Sequence, residues 1–194
     1  AFSAGEPASE SAVRAQLGAA RAAELARYTR FGALSETKQA VQSAVMWQLI
    51  WNPLEAGPLA PVIRGNPWGL DRGTANDDWI YVVFDWDNHF GAYMLSLDAK
   101  EQAYSALIQV VKAKTAQGFV PNTDAGVNKA KHTQPPVGSK VLLEIYQKHR
   151  EAWIVELLFD DLVDWNNYFH RTRRLAPLNI TCLGSAEGQM QDAR

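Results

Sequence analysis

The sequence runs to 194 residues, 47% hydrophobic and 21% charged, with a net charge of −2; that is enough chain for one domain with a core of its own. So even a charge balance offers no basic surface to nucleic acid or an anionic membrane, and no apolar run approaches the ~20 residues needed to span a bilayer. The single cysteine, Cys182, excludes an internal disulfide and a cysteine-based metal site, and His89, His132, His149 and His170 lack metal-ligand spacing; neither a metal nor a cofactor is expected.

Residues 1–8 read as a disordered lead-in. From about Ser9 to Tyr28 the chain is rich in Ala, Glu and Arg, which favours helix. Gly32 fits a stop. Ser35 then reads as the N-cap of a second helix that carries Val41, Val45 and Leu49 at helical spacing until Pro53 ends it. Four Pro and four Gly over 52–78 predict loop. The run WIYVVFDW (79–86), aromatic and β-branched, reads as one short strand. A helix from about Asp87 to Ser96 follows, then another from Ala99 to Ala116 with Tyr104, Leu107, Val110 and Val111 on one face and Gly118 as its stop. Residues 119–136 form a polar loop of a length that is uncommon unless functional or disordered. Pro135 and Pro136 open the helix VGSKVLLEIYQKH. The last helix covers about 152–173, with Trp153, Leu157, Leu162, Trp165 and Phe169 near helical spacing.

The fold class is therefore all-α, with six helices in three consecutive pairs and longer irregular loops near 52–86 and 117–134. Antiparallel hairpins whose elaborated loops gather at one end suggest a helical toroid or solenoid. The lack of a fixed-period repeat disfavours the simple solenoid.

Chemistry-bearing residues concentrate in FDWDNHFGAYM (84–94). Asp87 reads either as an N-cap or as a carboxylate that takes two sugar hydroxyls. Trp86 reads either as core or as a platform for a sugar's C–H face, in a chain that holds seven Trp. Asp124, in PNTDAG, has the chemistry of an Asx-turn, and Arg64, in PVIRGNPWG, that of a solvated loop charge. No nucleophile arrangement, phosphate-cradling glycine loop or dinucleotide fingerprint appears, which leaves carboxylate acid/base chemistry.

Four segments taken in order, PVIRGNPWG (61–69), VFDWDNHFGAYM (83–94), GFVPNTDAGVNKAKHTQPPVGSKVLLEIY (118–146) and LVDWNNYFHRTRRLAPLNITCLGS (162–185), resemble glycoside hydrolase family 63 from about residue 25 onward. That family includes processing α-glucosidases and mannosylglycerate hydrolases. The resemblance implies a partial (α/α)6 toroid over 9–194, about three of its six hairpins, with long irregular loops on one rim building the active site. It implies an inverting hydrolase whose partner is an oligosaccharide or small glycoside. Asp124, nine positions before Thr133, matches the family's general acid. Asp87 matches the carboxylate that holds ring hydroxyls, Trp86 a wall of that subsite, and Arg64 and Gln134 further substrate-binding positions. A general acid of this kind needs apolar surroundings or neighbouring carboxylates to keep its proton.

The loop AGVNKAK departs from relatives that place an aromatic there. No residue matches the family's general base, which lies further along the family's chain. The expectation is thus a catalytic domain truncated on its C-terminal side, inactive alone, and prone to self-association through its cut edge. The alternatives are a non-catalytic sugar-binding or structural helical fragment, and another (α/α)6 hydrolase of trehalase-like or glycogen-debranching type.

Overall fold

α-Helix dominates the structure, a computed structural model that describes residues 9–52, 56–61, 82–124, 132–175 and 177–182. The described helices are α1 (Glu10–Thr29), α2 (Ser35–Met46), α3 (Asp85–Leu95), α4 (Lys100–Lys112), α5 (Gly138–His149) and α6 (Ala152–Thr172). Short strands pair antiparallel two by two: β1 (Ile50–Asn52) with β2 (Gly57–Leu59), β3 (Val83–Phe84) with β4 (Thr123–Asp124), and β5 (Arg174–Leu175) with β6 (Ile180–Thr181). The chain is all-α, as expected. The lead-in 1–8, the segment AGVNKAK and the stretch 183–194 lie outside the described residues. No described helix is long and apolar enough to cross a membrane.

The chain divides into two compact units, Ala1–Ser43 and Ala44–Arg194. In the first, Ser9 caps α1 by accepting the Ala12 N–H at 3.2 Å, and Glu10 pairs with Arg14 one turn on at 2.8 Å. Along α1 only Tyr28 is buried. Lys38 of α2 lies 3.8 Å from the Phe31 ring centroid and 5.6 Å from that of Tyr28, a cation–π contact next to the connecting turn. Ser35 is not the N-cap expected of it. It is already helical, and its hydroxyl donates back to the Gly32 carbonyl at 2.6 Å.

The second unit opens with a correction to α2, which stops at Met46 rather than running to Pro53. Ile50 and Trp51 favour strand, and β1 pairs with β2 in the register Ile50↔Leu59. Asn52, buried, donates to Gln109 Oε1 on α4 at 2.8 Å, and Gln109 Nε2 donates to the Pro58 carbonyl at 2.9 Å, so one amide side chain holds both strands on α4.

Helices α3 and α4 pack on each other, as do α5 and α6. The two pairs lie side by side, α3 against α5 and α4 against α6. Leu95, Leu107, Ile145, Ile154, Leu158, Trp165 and Tyr168 meet in the core between them. Full burial of such a side chain contributes about 1.5–3 kcal/mol. The α4 face is the one expected, with Tyr104, Leu107, Val110 and Val111 all buried. The helix ends at Lys112, short of Ala116. Gly118 belongs to the next turn, where its φ of +94° turns the chain back so that the Phe119 carbonyl accepts the Thr115 N–H at 2.8 Å.

Helix α5 begins at Gly138, two residues after the Pro pair. On α6 the expected face is one residue out of phase at its start: Trp153 and Leu157 are exposed, and the buried stripe is Ile154, Leu158, Leu162, Trp165, Tyr168 and Phe169. Lys112 and Lys114 at the end of α4 pair with Asp161 on α6 at 2.6 and 3.0 Å, and Lys114 also meets Asp164 at 2.8 Å.

Candidate functional site

The two irregular regions meet. Strand β3 comes from the first and β4 from the second, with Val83 opposite Asp124 and Phe84 opposite Thr123. Helix α3 starts directly from this ladder. The start is at Asp85, two residues before the expected one, so Asp87 is not the N-cap; it is the third helical residue. Its carboxylate still favours the positive end of the helix dipole.

The N-cap position, Phe84, carries no capping side chain. The orphan N–H groups of the first turn find partners elsewhere in the fold. Asp85 N–H donates to the Asn122 carbonyl at 3.0 Å, and Trp86 N–H donates to Gln134 Oε1 at 3.0 Å. Phe84 N–H donates to Asn88 Oδ1 at 2.8 Å, while the Asn88 amide donates to the Ala60 carbonyl.

The segment 132–134 is fixed from three sides. Asn122 N–H donates to the His132 carbonyl at 2.7 Å, and Thr133 bridges to Pro121. Trp165 Nε1 donates to Thr133 Oγ1 at 3.0 Å, and that hydroxyl donates to the Val120 carbonyl at 2.5 Å. Of the residues expected at the site, Trp86 and Gln134 are thus in direct contact, with Asp87 adjoining. Asp124 stands on β4, two positions from Asn122, and is half-buried. Arg64 lies outside the described residues. The Trp86 side chain is open to solvent, 42% exposed. Phe90 and Tyr93, one and two turns along the same face of α3, are exposed too.

Sequence reasoning also passed over the group beneath the mouth. Asp85 and His89, one turn apart, are both fully buried. His89 Nδ1 lies 2.7 Å from the Asp85 carbonyl and 3.1 Å from Oδ1 of its carboxylate. A carbonyl only accepts, so Nδ1 carries the proton. The imidazole stacks on Trp165 with centroids 5.6 Å apart. His89 Nε2 has no partner among the described residues and faces Gly138, where a Cβ would come within 2.9 Å of it.

Burial raises the Asp85 carboxyl above the ordinary carboxylate range. His89 and the Gln134 backbone N–H pull it partly back, and the Asp87 charge adds to the rise. Neither carboxylate oxygen reaches full hydrogen-bond geometry, so those two donors do not offset the desolvation. His132 is pushed down by burial. The signal for this pair was present in the sequence as Asp-x-x-x-His at helical spacing inside a run already marked for its carboxylates.

Among the described residues no group of three or more His, Cys, Asp and Glu side chains is placed to hold a metal ion. The arrangement offers an exposed indole face, carboxylates on two elements that meet at one ladder, and an amide fixed beside them. Such a set can stack on a polyol ring and take its hydroxyls. No family model, curated protein or solved structure matches the chain.

Proposed function

We propose that this chain forms part of a helical-toroid glycoside hydrolase of the inverting kind, acting on α-linked glucosides or related small glycosides and resembling glycoside hydrolase family 63. Asp124 is its general acid. Asp87 and Gln134 bind sugar hydroxyls, Trp86 stacks on the ring, and Arg64 is a further substrate-binding residue by the same resemblance. The observation that carries the reading is the β3–β4 ladder with the Trp86–Gln134 contact. Residues far apart in sequence, which the resemblance assigns to one site, gather where α3 begins. Helix α5 begins four residues beyond Gln134, so two helix N-termini open on the same region. The packing of α3 on α5 and α4 on α6 is the relation that neighbouring hairpins of a toroid repeat around the ring.

The test is direct binding. Titrating the chain with p-nitrophenyl α-glucoside in a calorimeter is expected to show saturable uptake of heat, weakened by about tenfold or more in Trp86→Ala, as for an aromatic anchor at the centre of an interface. Hydrolysis is not expected from these 194 residues, because an inverting mechanism needs a second carboxylate to activate water and none of them matches that role. Undiminished affinity in Trp86→Ala removes the sugar mouth, and brisk turnover removes the split between acid and base halves.

The toroid reading also accounts for the far face of the α5–α6 pair. There Leu142, Leu143, Tyr146, Val155, Phe159 and Val163 line an open apolar groove of about 630 Å³, with Phe159 57% exposed. A ring places the next hairpin in such a groove. The chain is expected to self-associate through this face as concentration rises, and Phe159→Glu to weaken that association by roughly tenfold in sedimentation equilibrium. A wild-type chain that stays monomeric at high concentration contradicts this use of the groove.

A further inference from the structure

Below the mouth six residues interlock, of which Asp85, His89, Thr133 and Trp165 have no part in the proposed chemistry. His89 is held to Asp85 through Nδ1 at 2.7 and 3.1 Å. The Asp85 carboxylate faces the Gln134 backbone N–H, and the Gln134 side chain takes the Trp86 N–H at 3.0 Å. Thr133, next in the chain, accepts from the Trp165 indole at 3.0 Å, and Trp165 stacks back on His89. Segment 132–134 and the first turn of α3 therefore clasp each other reciprocally: a backbone N–H faces a carboxylate in one direction, and a backbone N–H meets a side-chain amide in the other.

We infer that Asp85 and His89 are positioning residues, which hold Gln134 against the first turn of α3 and so set the spacing between Trp86 and Gln134 at the mouth. The Trp86 N–H is one of the four that a helix start leaves without an internal partner, and among the described residues Gln134 is what shields it from solvent exchange. Asp85 is a poor choice for stability. Both of its oxygens are buried without full hydrogen bonds, and a buried, weakly compensated charge lowers stability. The sign agrees. Its folded-state pKa lies above the ordinary value, so its favourable contribution is complete below that ordinary value and is lost as pH rises through the folded pKa. What the carboxylate supplies is orientation.

Asp85→Asn keeps the size of the side chain and removes the charge. In the full chain, hydrogen exchange followed by NMR is expected to show the Trp86 backbone amide exchanging about tenfold faster, the loss of one ordinary hydrogen bond. The amides of Leu107 and Ile154 should hold their rates, and the melting temperature at neutral pH should stay level or rise. A merely structural aspartate would move the opposite way, losing melting temperature together with protection. Unchanged exchange at Trp86 overturns the inference, and so does a fall in melting temperature.

The functional arm rests on the sugar-mouth reading: p-nitrophenyl α-glucoside should bind about tenfold more weakly to Asp85→Asn, in step with the lost hydrogen bond. The exchange measurement needs no ligand. A wild-type chain that binds no glucoside would therefore end the sugar reading while Trp86 exchange still decides the positioning role.

Discussion

Asp124→Asn, placed in a catalytic protein that joins this chain to a water-activating carboxylate, is expected to lower kcat on an unactivated α-glucoside by about 10²–10⁴-fold with little change in KM. An acid that protonates the departing oxygen acts in the transition state and adds little to ground-state binding. The carboxamide is close to the carboxyl in size but cannot deliver a proton at a comparable rate. The need for that proton depends on the leaving group. An alkoxide leaving from an oligosaccharide is strongly basic and needs it, whereas a 2,4-dinitrophenolate leaves unaided. The loss should therefore shrink to a few-fold on the dinitrophenyl glucoside, in line with the Brønsted behaviour of general acids.

Equal losses on both substrates would make Asp124 a binding or structural residue of β4. A rise in KM alone would move it to the group that holds ring hydroxyls. The water-activating partner should stand about 6.5–9.5 Å from Asp124, leaving room for one water on the opposite ring face. The position of Asp124 suits a catalytic carboxylate: half-buried, opposite buried Val83, on the ladder from which α3 starts.

How far the sequence could be read depends on where each element's partners lie. Helices α4, α5 and α6 bury one face at the helical period, and their existence was legible from spacing alone. Boundaries were misread where a distant part of the fold supplies the partners of a helix end. Ser9 caps its own helix and marked the start of α1. The start of α3 was misplaced because its N–H groups are taken by Asn122 and by Gln134, the latter 48 residues beyond Trp86. Local sequence therefore made Asp87 look like the cap.

The end of α2 went astray for a similar reason. Its helical spacing continues to Leu49, but Ile50–Asn52 gains a strand partner and the amide of Gln109. At the mouth, Trp86 and Asp87 stood out by their own chemistry, whereas Gln134 and the acid role of Asp124 came only through resemblance, since no local pattern links 86 to 134. The Asp85–His89 pair was reachable by spacing and was passed over, because its burial comes from Trp165 and Gly138 on other helices.

The phase of α6 yields the largest stability contrast, between two tryptophans that the sequence placed on one face. Trp165→Ala is expected to destabilise the unit by about 3–5 kcal/mol, a large part of the roughly 5–15 kcal/mol that keeps a domain folded. Trp165 is fully buried. Its removal leaves a cavity bordered by the stacked His89 ring, and Thr133 Oγ1 loses the indole N–H. In thermal unfolding this corresponds to a fall of roughly 6–20 °C for a chain of this size.

Trp153→Ala should cost only about 1 kcal/mol. That indole is 46% exposed, lies edge-on to Tyr104 at 5.2 Å, and donates to Glu151 at 2.9 Å. Equal losses for the two would return α6 to the face expected from spacing. Trp165→Phe separates packing from the hydrogen bond: it restores most of the lost volume but removes the indole N–H from Thr133 Oγ1, for a residual loss of about 1–2 kcal/mol. Because Thr133 precedes Gln134, this variant should loosen the Trp86 contact more than its small stability loss suggests. Trp86→Ala, by contrast, opens the mouth and leaves the core as it is.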